Sequence, residues 1–350
     1  MIELRCTPAA GPASQILLER GLARDAGTLA RHVAARGTAF LLADPRVLAL
    51  HGALDGWQGP SLALDAGEGA KTFAALEHVV RAMAAAGLDR GATLVALGGG
   101  SLGDLAGLAA SIYLRGVDLV QVPTTLLAMV DSSIGGKNAI NLPEGKNLVG
   151  TVHAARRVLI DPAFLENLPE PEFRSGLGEV LKVALGLDAG LFALLRERRN
   201  AVLRRDPDTL VAVIERCVAA KILVVEGDLR EQDRRRLLNL GHTLGHALEA
   251  HAGFTIPHGT AVARGLHFAL DAATRLGVLG AAEAAAAAEL LAAYGFACTP
   301  LPPAAELLPF LARDKKCRDG VVTLVLPNGR GTSTLVPTPL ATIEAWLRET

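Results

Sequence analysis

Short apolar runs alternate with Ala-rich segments of helical periodicity in the first half of the chain. Each apolar run ends at an aspartate, a glycine or a proline, which is typical of a buried strand that passes into a loop. Strands that alternate with helices predict a parallel, Rossmann-like sheet. The predicted strands cover residues 38–43, 93–97, 119–122 and 157–160, and the predicted helices cover residues 71–85 and 103–114.

Long helical periods replace this alternation beyond Asp161. Near the end, two apolar runs flank a segment in which Asn328-Gly329 is typical of a hairpin turn. We therefore predict an α/β, Rossmann-like domain over residues 1–160 and a mainly α-helical domain over residues 161–350. The helices of the second domain are predicted at 172–185, 191–198, 207–227, 234–251 and 259–276, and its hairpin strands at 321–326 and 332–336.

Composition narrows the class of protein. The formal net charge is −1, so charge gives no attraction to nucleic acid or to an anionic membrane surface. No apolar run is long enough to span a bilayer, and the first residues lack the basic and apolar regions of a signal peptide. The four cysteines are far apart and show no CxxC spacing, which is typical of reduced thiols. We expect a cytoplasmic protein that binds neither nucleic acid nor membranes.

Four polar side chains share one face of the helix predicted over 234–251. The positions i, i+4, i+7 and i+11 are occupied by Arg235, Asn239, His242 and His246. Such a stripe makes a poor core face and predicts the wall of a polar active site. Glu179 and His258 stand elsewhere in the chain, and two histidines with one glutamate are a common ligand set for a catalytic zinc. The spacing alone does not decide which histidines bind the metal.

A glycine run between a predicted strand and a predicted helix indicates a nucleotide site. Glycines at residues 98–100 let backbone N–H groups approach a phosphate at the start of a helix. Asp44 ends an upstream strand, where its carboxylate can accept the ribose hydroxyls of NAD and repel the 2′-phosphate of NADP. The acid precedes the glycine run, whereas in the usual dinucleotide fingerprint it follows by about 20 residues. The site therefore belongs to a different lineage.

The scarcity of lysine marks a further set of positions. Only seven of the 35 basic residues are lysines, and the other 28 are arginines. A chain with this bias retains lysine where a compact, flexible ammonium is needed. The seven lysines are Lys71, Lys137, Lys146, Lys182, Lys221, Lys315 and Lys316.

Several segments, taken in order, resemble the 3-dehydroquinate synthase family of the sugar phosphate cyclase superfamily. In the first half they are residues 98–107, 113–116, 123–127, 130–137 and 145–147. In the second half they are residues 175–182, Arg235, residues 239–246 and His258-Gly259. The resemblance extends from about Asp44 to Lys316 and implies a dehydroquinate synthase-like fold.

The resemblance also implies an activity. Members convert 3-deoxy-D-arabino-heptulosonate 7-phosphate, a phosphorylated sugar acid, to 3-dehydroquinate and phosphate. The route runs through transient oxidation, phosphate elimination, re-reduction and an intramolecular aldol closure in the shikimate pathway. The implied cofactors are NAD and Zn²⁺ or Co²⁺, and the implied assembly is a homodimer.

Site residues follow from the resemblance, position by position. The metal ligands are Glu179, His242 and His258, which leaves His246 as an acid–base group. The catalytic set is His246, Lys137, Lys182 and Asn239. The substrate-binding set is Arg115, Lys137, Lys146, Asn147, Lys182, Lys221, Arg235, Asn239, Lys315 and Lys316. The cofactor-binding set is Asp44, Glu68, Lys71, Gly99, Gly100, Ser101, Asp104, Thr124, Thr125, Asp131 and Lys146.

Three departures from the family pattern bear on substrate specificity. Gly178 stands where an alanine is usual, Val183 replaces an aromatic residue, and residues 151–156 replace an aromatic-Gln-Pro stretch. Three alternative functions stay open: another sugar phosphate cyclase such as a 2-epi-5-epi-valiolone synthase-like enzyme, a metal-dependent polyol dehydrogenase, and a non-catalytic homologue.

Overall fold

The chain divides into two compact units. The first contains Met1–Pro169 and Leu210–Arg230, and the second contains Glu170–Thr209 and Glu231–Thr350. No described helix combines the length and the hydropathy that crossing a lipid bilayer requires. The computed structural model describes residues 1–9, 11–23, 25–33, 36–51, 56–65, 67–229, 231, 234–313 and 317–349.

A seven-stranded sheet forms the core of the first unit. The strands and helices up to Ile160 are, in chain order, β1 Ile2–Cys6, β2 Ser14–Leu18, α1 Ala26–Val33, β3 Ala39–Ala43, α2 Pro45–His51, β4 Ser61–Ala63, α3 Phe73–Ala85, β5 Thr93–Gly98, α4 Gly100–Ile112, β6 Asp118–Pro123, β7 Lys137–Leu142, β8 Gly145–Val152 and β9 Arg157–Ile160. The sheet order is β1-β2-β9-β6-β5-β3-β4; β1 is antiparallel to β2 and the other pairs are parallel. A separate antiparallel hairpin is formed by β7 and β8.

The parallel α/β prediction is confirmed, and the four predicted strands are β3, β5, β6 and β9. Every residue of β5 is buried, which is typical of a parallel strand covered on both faces. The antiparallel strand β1 was not predicted, because its burial alternates and its polar positions weaken the apolar run. α4 begins at Gly100 rather than at the predicted residue 103, so part of the glycine run forms the first helical turn.

Strands β3 and β5 lie side by side, but the chain leaves them in opposite directions along the sheet. β3 leads to β4 on one side, and β5 leads to β6 on the other. The residues that follow two such strands border a crevice at the carboxyl edge of a parallel sheet. The N–H of Asp44, directly after β3, donates to the carbonyl of Leu97 in β5 over 3.0 Å. Asp44 and the glycine run therefore share this edge.

The second unit is mainly helical, as predicted, and contains one small antiparallel sheet. The elements from Glu170 onward are α5 Glu170–Gly186, α6 Ala189–Glu197, α7 Arg199–Leu203, α8 Pro207–Gly227, α9 His242–His251, α10 His258–Arg275, α11 Ala281–Ala293, α12 Ala304–Arg313, β10 Cys317–Arg318, β11 Val321–Gly329, β12 Thr332–Pro339 and α13 Leu340–Glu349. The three strands follow the order β10-β11-β12.

The single helix predicted over 234–251 is wrong. A 3₁₀ turn over Arg234–Asn239 precedes α9, and Gly241 between them has φ of 77°. A β-carbon at Gly241 would lie 2.8 Å from the carbonyl oxygen of Val262, so both the backbone conformation and the close approach require glycine. Arg235 and Asn239 consequently stand on a different element from His242 and His246.

The predicted hairpin is present, but its turn lies further along the chain. Gly329 pairs with Thr332, so the connecting residues are Arg330 and Gly331 rather than Asn328-Gly329. Gly331 has φ of 67°, which glycine adopts without strain. The strand register shifts between Pro327 and Gly329, and this shift moves the turn. The Asn-Gly dipeptide alone could not predict it.

The division into units also differs from the predicted boundary at residue 160. The first unit continues to Pro169 and takes in the residues of α8 from Leu210 onward. A helical period shows that a segment forms a helix, but it does not show against which unit the apolar face of that helix packs. The periodicity of α8 therefore could not assign it.

Candidate active site

Three side chains of the second unit converge through one ligand atom each. Glu179 lies in the middle of α5, and His242 and His258 are the first residues of α9 and α10. Oε1 of Glu179 lies 3.5 Å from Nε2 of His242 and 3.2 Å from Nε2 of His258. Tetrahedral zinc with bonds of about 2.0–2.1 Å separates its ligand atoms by about 3.4 Å. These residues fit a divalent metal of that size.

The buried Glu179 carboxylate supports the same assignment. Glu179 is 0% exposed, and neither of its oxygens has a well-oriented hydrogen-bond donor among the described residues. A buried carboxylate in this state is costly unless a cation lies against it. Nζ of Lys182, one helical turn along α5, lies 2.5 Å from Oε2. Oε1 is thus directed toward the two histidines and Oε2 toward the ammonium.

Each histidine of the cluster is held through its other ring nitrogen. The Nδ1–H of His242 donates to the carbonyl of Leu240 over 3.1 Å. The Nδ1–H of His258 donates to Oε2 of Glu249 over 3.1 Å. Such partners fix the tautomer and the ring orientation of metal-binding histidines. Both Nε2 atoms consequently face Glu179.

Electrostatics assign different protonation states to the three groups. Burial alone would raise the pKa of Glu179, but the charge of Lys182 and then those of the two histidines hold that pKa well below its usual value. Burial lowers the pKa of His242 well below 6.5, against the opposing effect of Glu179. Burial also acts to lower the pKa of His258, but Glu179 and Glu249 outweigh it and raise the pKa to about 10. Metal binding must therefore displace a proton from His258.

Two glycines bring α5 and α10 together next to the cluster. A β-carbon at Gly178 would lie 2.2 Å from the carbonyl oxygen of Gly259, and one at Gly259 would lie 1.7 Å from the carbonyl oxygen of Ser175. The N–H of Gly259 donates to the Ser175 hydroxyl over 3.1 Å. Gly178 and Gly259 directly adjoin Glu179 and His258. The departure from alanine at position 178 thus permits the close helix approach in this chain.

The remaining residues of the predicted stripe lie in the same unit. The ring centre of His246 is 5.3 Å from that of His242 and 6.2 Å from that of His258, and His246 is not one of the three converging ligands. Arg235 is buried in the 3₁₀ turn. Asn239 donates from Nδ2 to Oε1 of Glu231 over 2.6 Å.

In the first unit, the structure gathers four of the predicted residues around a fifth, Lys71. The Lys71 ammonium is buried; it donates to Asp104 over 2.8 Å and to the side chain of Asn147, and lies 3.7 Å from Glu68. Glu68 accepts from the Ser101 hydroxyl over 2.8 Å. Burial acts to raise the pKa of Glu68, but Lys71 and the neighbouring donors lower it overall. Burial raises the pKa of Asp104 despite Lys71.

Further predicted residues lie at the carboxyl ends of β5 and β6. The N–H of Thr124 donates to the carbonyl of Gly98 over 3.0 Å. A β-carbon at Gly99 would lie 3.2 Å from the Thr125 methyl group, and one at Gly100 would lie 2.7 Å from the Ser132 hydroxyl. Asp131 lies in the one π-helical turn of the described chain and accepts hydrogen bonds from the buried Lys221 through its side chain and its carbonyl.

Three further predicted cations differ in exposure, and the charge of Lys146 helps to lower the pKa of Glu68. Arg115 is exposed in a turn with φ of 68°, Lys137 is exposed at the start of β7, and Lys146 is half-buried on β8. Lys315 and Lys316 lie outside the described residues.

Sequence reasoning missed four residues that contact the predicted ones. Glu249 stands at i+7 from His242, so extending the polar stripe by one further step would have found it. Arg46 stands two residues after Asp44, which suggests a local pair. The other two are Asn141, which contacts Glu68, and Glu231, which contacts Asn239. No sequence pattern predicted either contact.

Known proteins resemble this chain along most of its length. Residues 61–175 match the model of the 3-dehydroquinate synthase N-terminal domain, and residues 176–317 match that of the C-terminal domain. A 3-dehydroquinate synthase from Rhodospirillum rubrum is 44% identical over 333 residues, which cover 90% of this chain and 86% of the relative.

Solved structures give the same fold. A 2-epi-5-epi-valiolone synthase from Streptomyces hygroscopicus subsp. jinggangensis 5008, with NAD⁺ and Zn²⁺ bound, has a TM-score of 0.88 at 32% identity, with 99% of each chain covered. A 2-deoxy-scyllo-inosose synthase complexed with carbaglucose-6-phosphate, NAD⁺ and Co²⁺ has a TM-score of 0.87 at 25% identity and the same coverage. The two matching domain models and the 44% identity show that this chain belongs to the 3-dehydroquinate synthase family.

Proposed function

We propose that the chain is a 3-dehydroquinate synthase, a lyase that converts 3-deoxy-D-arabino-heptulosonate 7-phosphate to 3-dehydroquinate and phosphate for aromatic amino acid biosynthesis. The observation that carries the proposal is the convergence of Glu179, His242 and His258 in a chain of this family. When bound, NAD supplies a hydride acceptor and donor, and Zn²⁺ or Co²⁺ supplies a Lewis acid that makes a substrate hydroxyl more acidic.

His246 is the proposed acid–base group. It lies one helical turn from His242 on α9, near the ligand cluster but outside it. An imidazole is suited to accept and return a proton near neutral pH. His246 would take a proton from the substrate hydroxyl and later give it back, while Asn239 orients the substrate.

Cationic side chains are proposed to bind the two anionic groups of the substrate. Arg235 is the proposed clamp for the carboxylate, because a guanidinium presents a planar fork that matches a carboxylate. Lysine suits the phosphate, which changes position and leaves. The proposed substrate cations besides Arg235 are Arg115, Lys137, Lys146, Lys182, Lys221, Lys315 and Lys316, with Asn147 as a neutral partner.

The first unit is the proposed NAD-binding domain. Asp44, the glycine run and the network around Lys71 all belong to it, and the crevice at the ends of β3 and β5 is the kind of place where parallel sheets bind nucleotides. Thr124, Thr125, Asp131 and Lys146 complete the proposed cofactor-binding set.

A second candidate is a cyclase that acts on a sugar phosphate without a carboxylate. It is favoured by the likeness to the valiolone synthase structure, at a TM-score of 0.88. Four residues favour the acid substrate instead, because each matches the 3-dehydroquinate synthase pattern: Arg235, Asn239, His246 and Lys221. We rank this candidate second.

The deciding experiment supplies the purified protein with NAD⁺, Zn²⁺ and either sugar phosphate. Release of phosphate together with 3-dehydroquinate from the heptulosonate phosphate is the expected result. Turnover of sedoheptulose 7-phosphate alone would overturn the proposal in favour of the second candidate. No turnover of either, with zinc and nucleotide bound, would favour a non-catalytic homologue.

The carboxylate clamp has a matched control in the same 3₁₀ turn. Arg235→Ala should raise KM for the acid substrate by about tenfold or more, the loss expected for a charge-assisted hydrogen bond. Arg234 is exposed, and Arg234→Ala should leave KM unchanged. Equal effects of the two variants would reject Arg235 as the clamp.

The proposed assembly is a homodimer. The proposed location is the cytoplasm, in keeping with Cys6, Cys217, Cys298 and Cys317, which are not joined in disulfides. Light scattering of the purified protein tests the first point, and a monomer mass would reject it. Fractionation of the producing cells tests the second.

A further inference from the structure

Asp44 and Arg46 form a bidentate ion pair at the carboxyl edge of the sheet. Nε of Arg46 donates to Oδ1 of Asp44 over 3.1 Å, and Nη2 donates to Oδ2 over 2.7 Å. The backbone N–H of Arg46 also donates to Oδ1, over 2.9 Å. The Asp44 side chain is 6% exposed, whereas that of Arg46 is 65% exposed. A guanidinium that reaches solvent therefore covers a buried carboxylate.

The position of this pair is significant because it borders the crevice between β3 and β5. In dinucleotide sites of parallel sheets, a carboxylate near the adenosine ribose accepts from the 2′-hydroxyl and selects NAD, whereas a nearby arginine accommodates the 2′-phosphate of NADP. This chain carries both kinds of side chain two residues apart.

The pairing changes what Asp44 can do. A carboxylate has about four acceptor sites. Within the described part of the chain, the Asp44 carboxylate accepts three hydrogen bonds from Arg46, two on Oδ1 and one on Oδ2. Capacity remains on Oδ2 for one ribose hydroxyl. The guanidinium offsets the carboxylate charge, which otherwise would repel a 2′-phosphate.

Arg46 itself can meet a phosphate. Its fork matches phosphate as well as carboxylate geometry, and its exposure lets the head group turn toward a bound anion without unburying a packed side chain. Oδ1 of Asp65, whose side chain is 84% exposed, also lies 4.0 Å from Nη2 of Arg46. Exposed ion pairs of this kind are weak, so a phosphate can replace Asp65 at the guanidinium while the pair with the buried Asp44 is kept.

We propose that Arg46 sets the nucleotide specificity of this chain: by pairing with Asp44 and by offering its guanidinium to a 2′-phosphate, it lets the nucleotide site accept NADP⁺ as well as NAD⁺. The proposal rests on the proposed NAD site in the first unit and extends it to a second class of cofactor.

The test is titration calorimetry of the full-length, zinc-loaded protein with NAD⁺ and NADP⁺ at fixed ionic strength. The Kd for NADP⁺ should lie within about tenfold of that for NAD⁺. Arg46→Ala should raise the ratio of the NADP⁺ Kd to the NAD⁺ Kd by about tenfold or more, the equivalent of one charge-assisted hydrogen bond. Arg46→Lys, which keeps the charge and loses the fork, should raise the ratio less.

Arg81 provides the matched control. It is another exposed arginine of the first unit, paired with Glu77 at 2.7 Å, and Arg81→Ala should leave the ratio unchanged. Wild-type protein that binds NAD⁺ but not NADP⁺ would overturn the inference alone, as would an Arg46→Ala ratio equal to that of the wild type. Wild-type protein that binds neither nucleotide would overturn the proposed function with it.

Discussion

Oε2 of Glu249 lies 3.1 Å from Nδ1 of His258, on the side of the ring opposite Nε2, which faces Glu179 at 3.2 Å. Glu249 is buried in α9, so a second carboxylate stands behind a proposed metal ligand within the same unit. It restricts the rotation of the imidazole and fixes the nitrogen that is presented to the metal.

Replacement of Glu249 should therefore weaken metal binding without removing a ligand. We expect Glu249→Gln to raise the Kd for Zn²⁺ by about 10–100-fold, the usual effect of losing such a partner. Competition with a chromogenic chelator measures it directly. Glu289→Gln, at an exposed position of α11, serves as the control. A zinc affinity equal to that of the control would show that Glu249 does not position His258.

Gly178→Ala should separate two of the proposed ligands. The added methyl group would meet the carbonyl oxygen of Gly259 at 2.2 Å, so α5 and α10 must move apart next to Glu179 and His258. We expect the free energy of unfolding to fall by about 1–3 kcal/mol, as in other overpacked sites, with weaker zinc binding. Urea unfolding and chelator competition measure the two effects.

The control for this change is Gly280→Ala at the start of α11. The nearest atom to its added methyl group would be 3.7 Å away, which is ordinary contact. If Gly178→Ala matched this control in both stability and zinc affinity, the helix approach would not determine the ligand spacing.

Lys182→Met should destabilise the metal-free protein and make its stability depend on zinc. Removal of the ammonium leaves Glu179 buried without its nearest cation, and breaking a buried ion pair costs about 3–5 kcal/mol. Saturating zinc supplies a cation at the same carboxylate, so most of the loss should be recovered. Denaturant unfolding with chelator and with zinc measures both states.

Lys221→Met is the matched variant, because Lys221 is also buried against a carboxylate, that of Asp131 in the first unit. Its loss of stability should not be recovered by zinc. Equal recovery in the two variants would contradict a specific link between Lys182 and the metal cluster.

The pKa of His258 predicts how pH acts on the metal-free protein. Burial opposes the charged ring, but Glu179 and Glu249 raise its pKa from 6.5 to about 10. Because the folded pKa is the higher one, the protonated ring contributes stability that is fully present below pH 6.5 and is lost as pH rises toward about 10. We expect the stability difference between wild type and His258→Gln, both metal-free, to shrink over this range.

Zinc should reverse that dependence, since the metal competes with the proton on His258. Urea unfolding at saturating total zinc should show a stabilisation by the metal that grows with pH. A metal-free difference between wild type and His258→Gln that stays constant over the range would show that His258 is not charged in the folded protein.

The chain itself determined the parallel α/β class and the identity of the proposed ligand side chains. A short apolar run that ends at a glycine, such as residues 93–97, is typical of a strand covered on both faces, and this signal is local to the run. His242 and Glu179 stand in motifs that carry the family resemblance, so the sequence itself supplies the imidazole and the carboxylate. The single helix predicted for the stripe that first indicated a site was wrong, because Gly241 breaks the period with a left-handed conformation.

Other features depended on the tertiary structure, because they join residues that are distant in sequence or depend on contact geometry. The His258–Glu249 pair, the approach of Gly178 to Gly259 and the Lys71 network arise from packing between elements, and a periodicity carries no distance between elements. Arg46, the partner of Asp44, is only two residues away in sequence. The bidentate geometry of the Asp44–Arg46 ion pair is nevertheless set by the turn after β3. The sequence by itself thus determined the chemistry that is available to this protein, and the fold decided which groups act on one another, since only packing brings charges within a few ångströms.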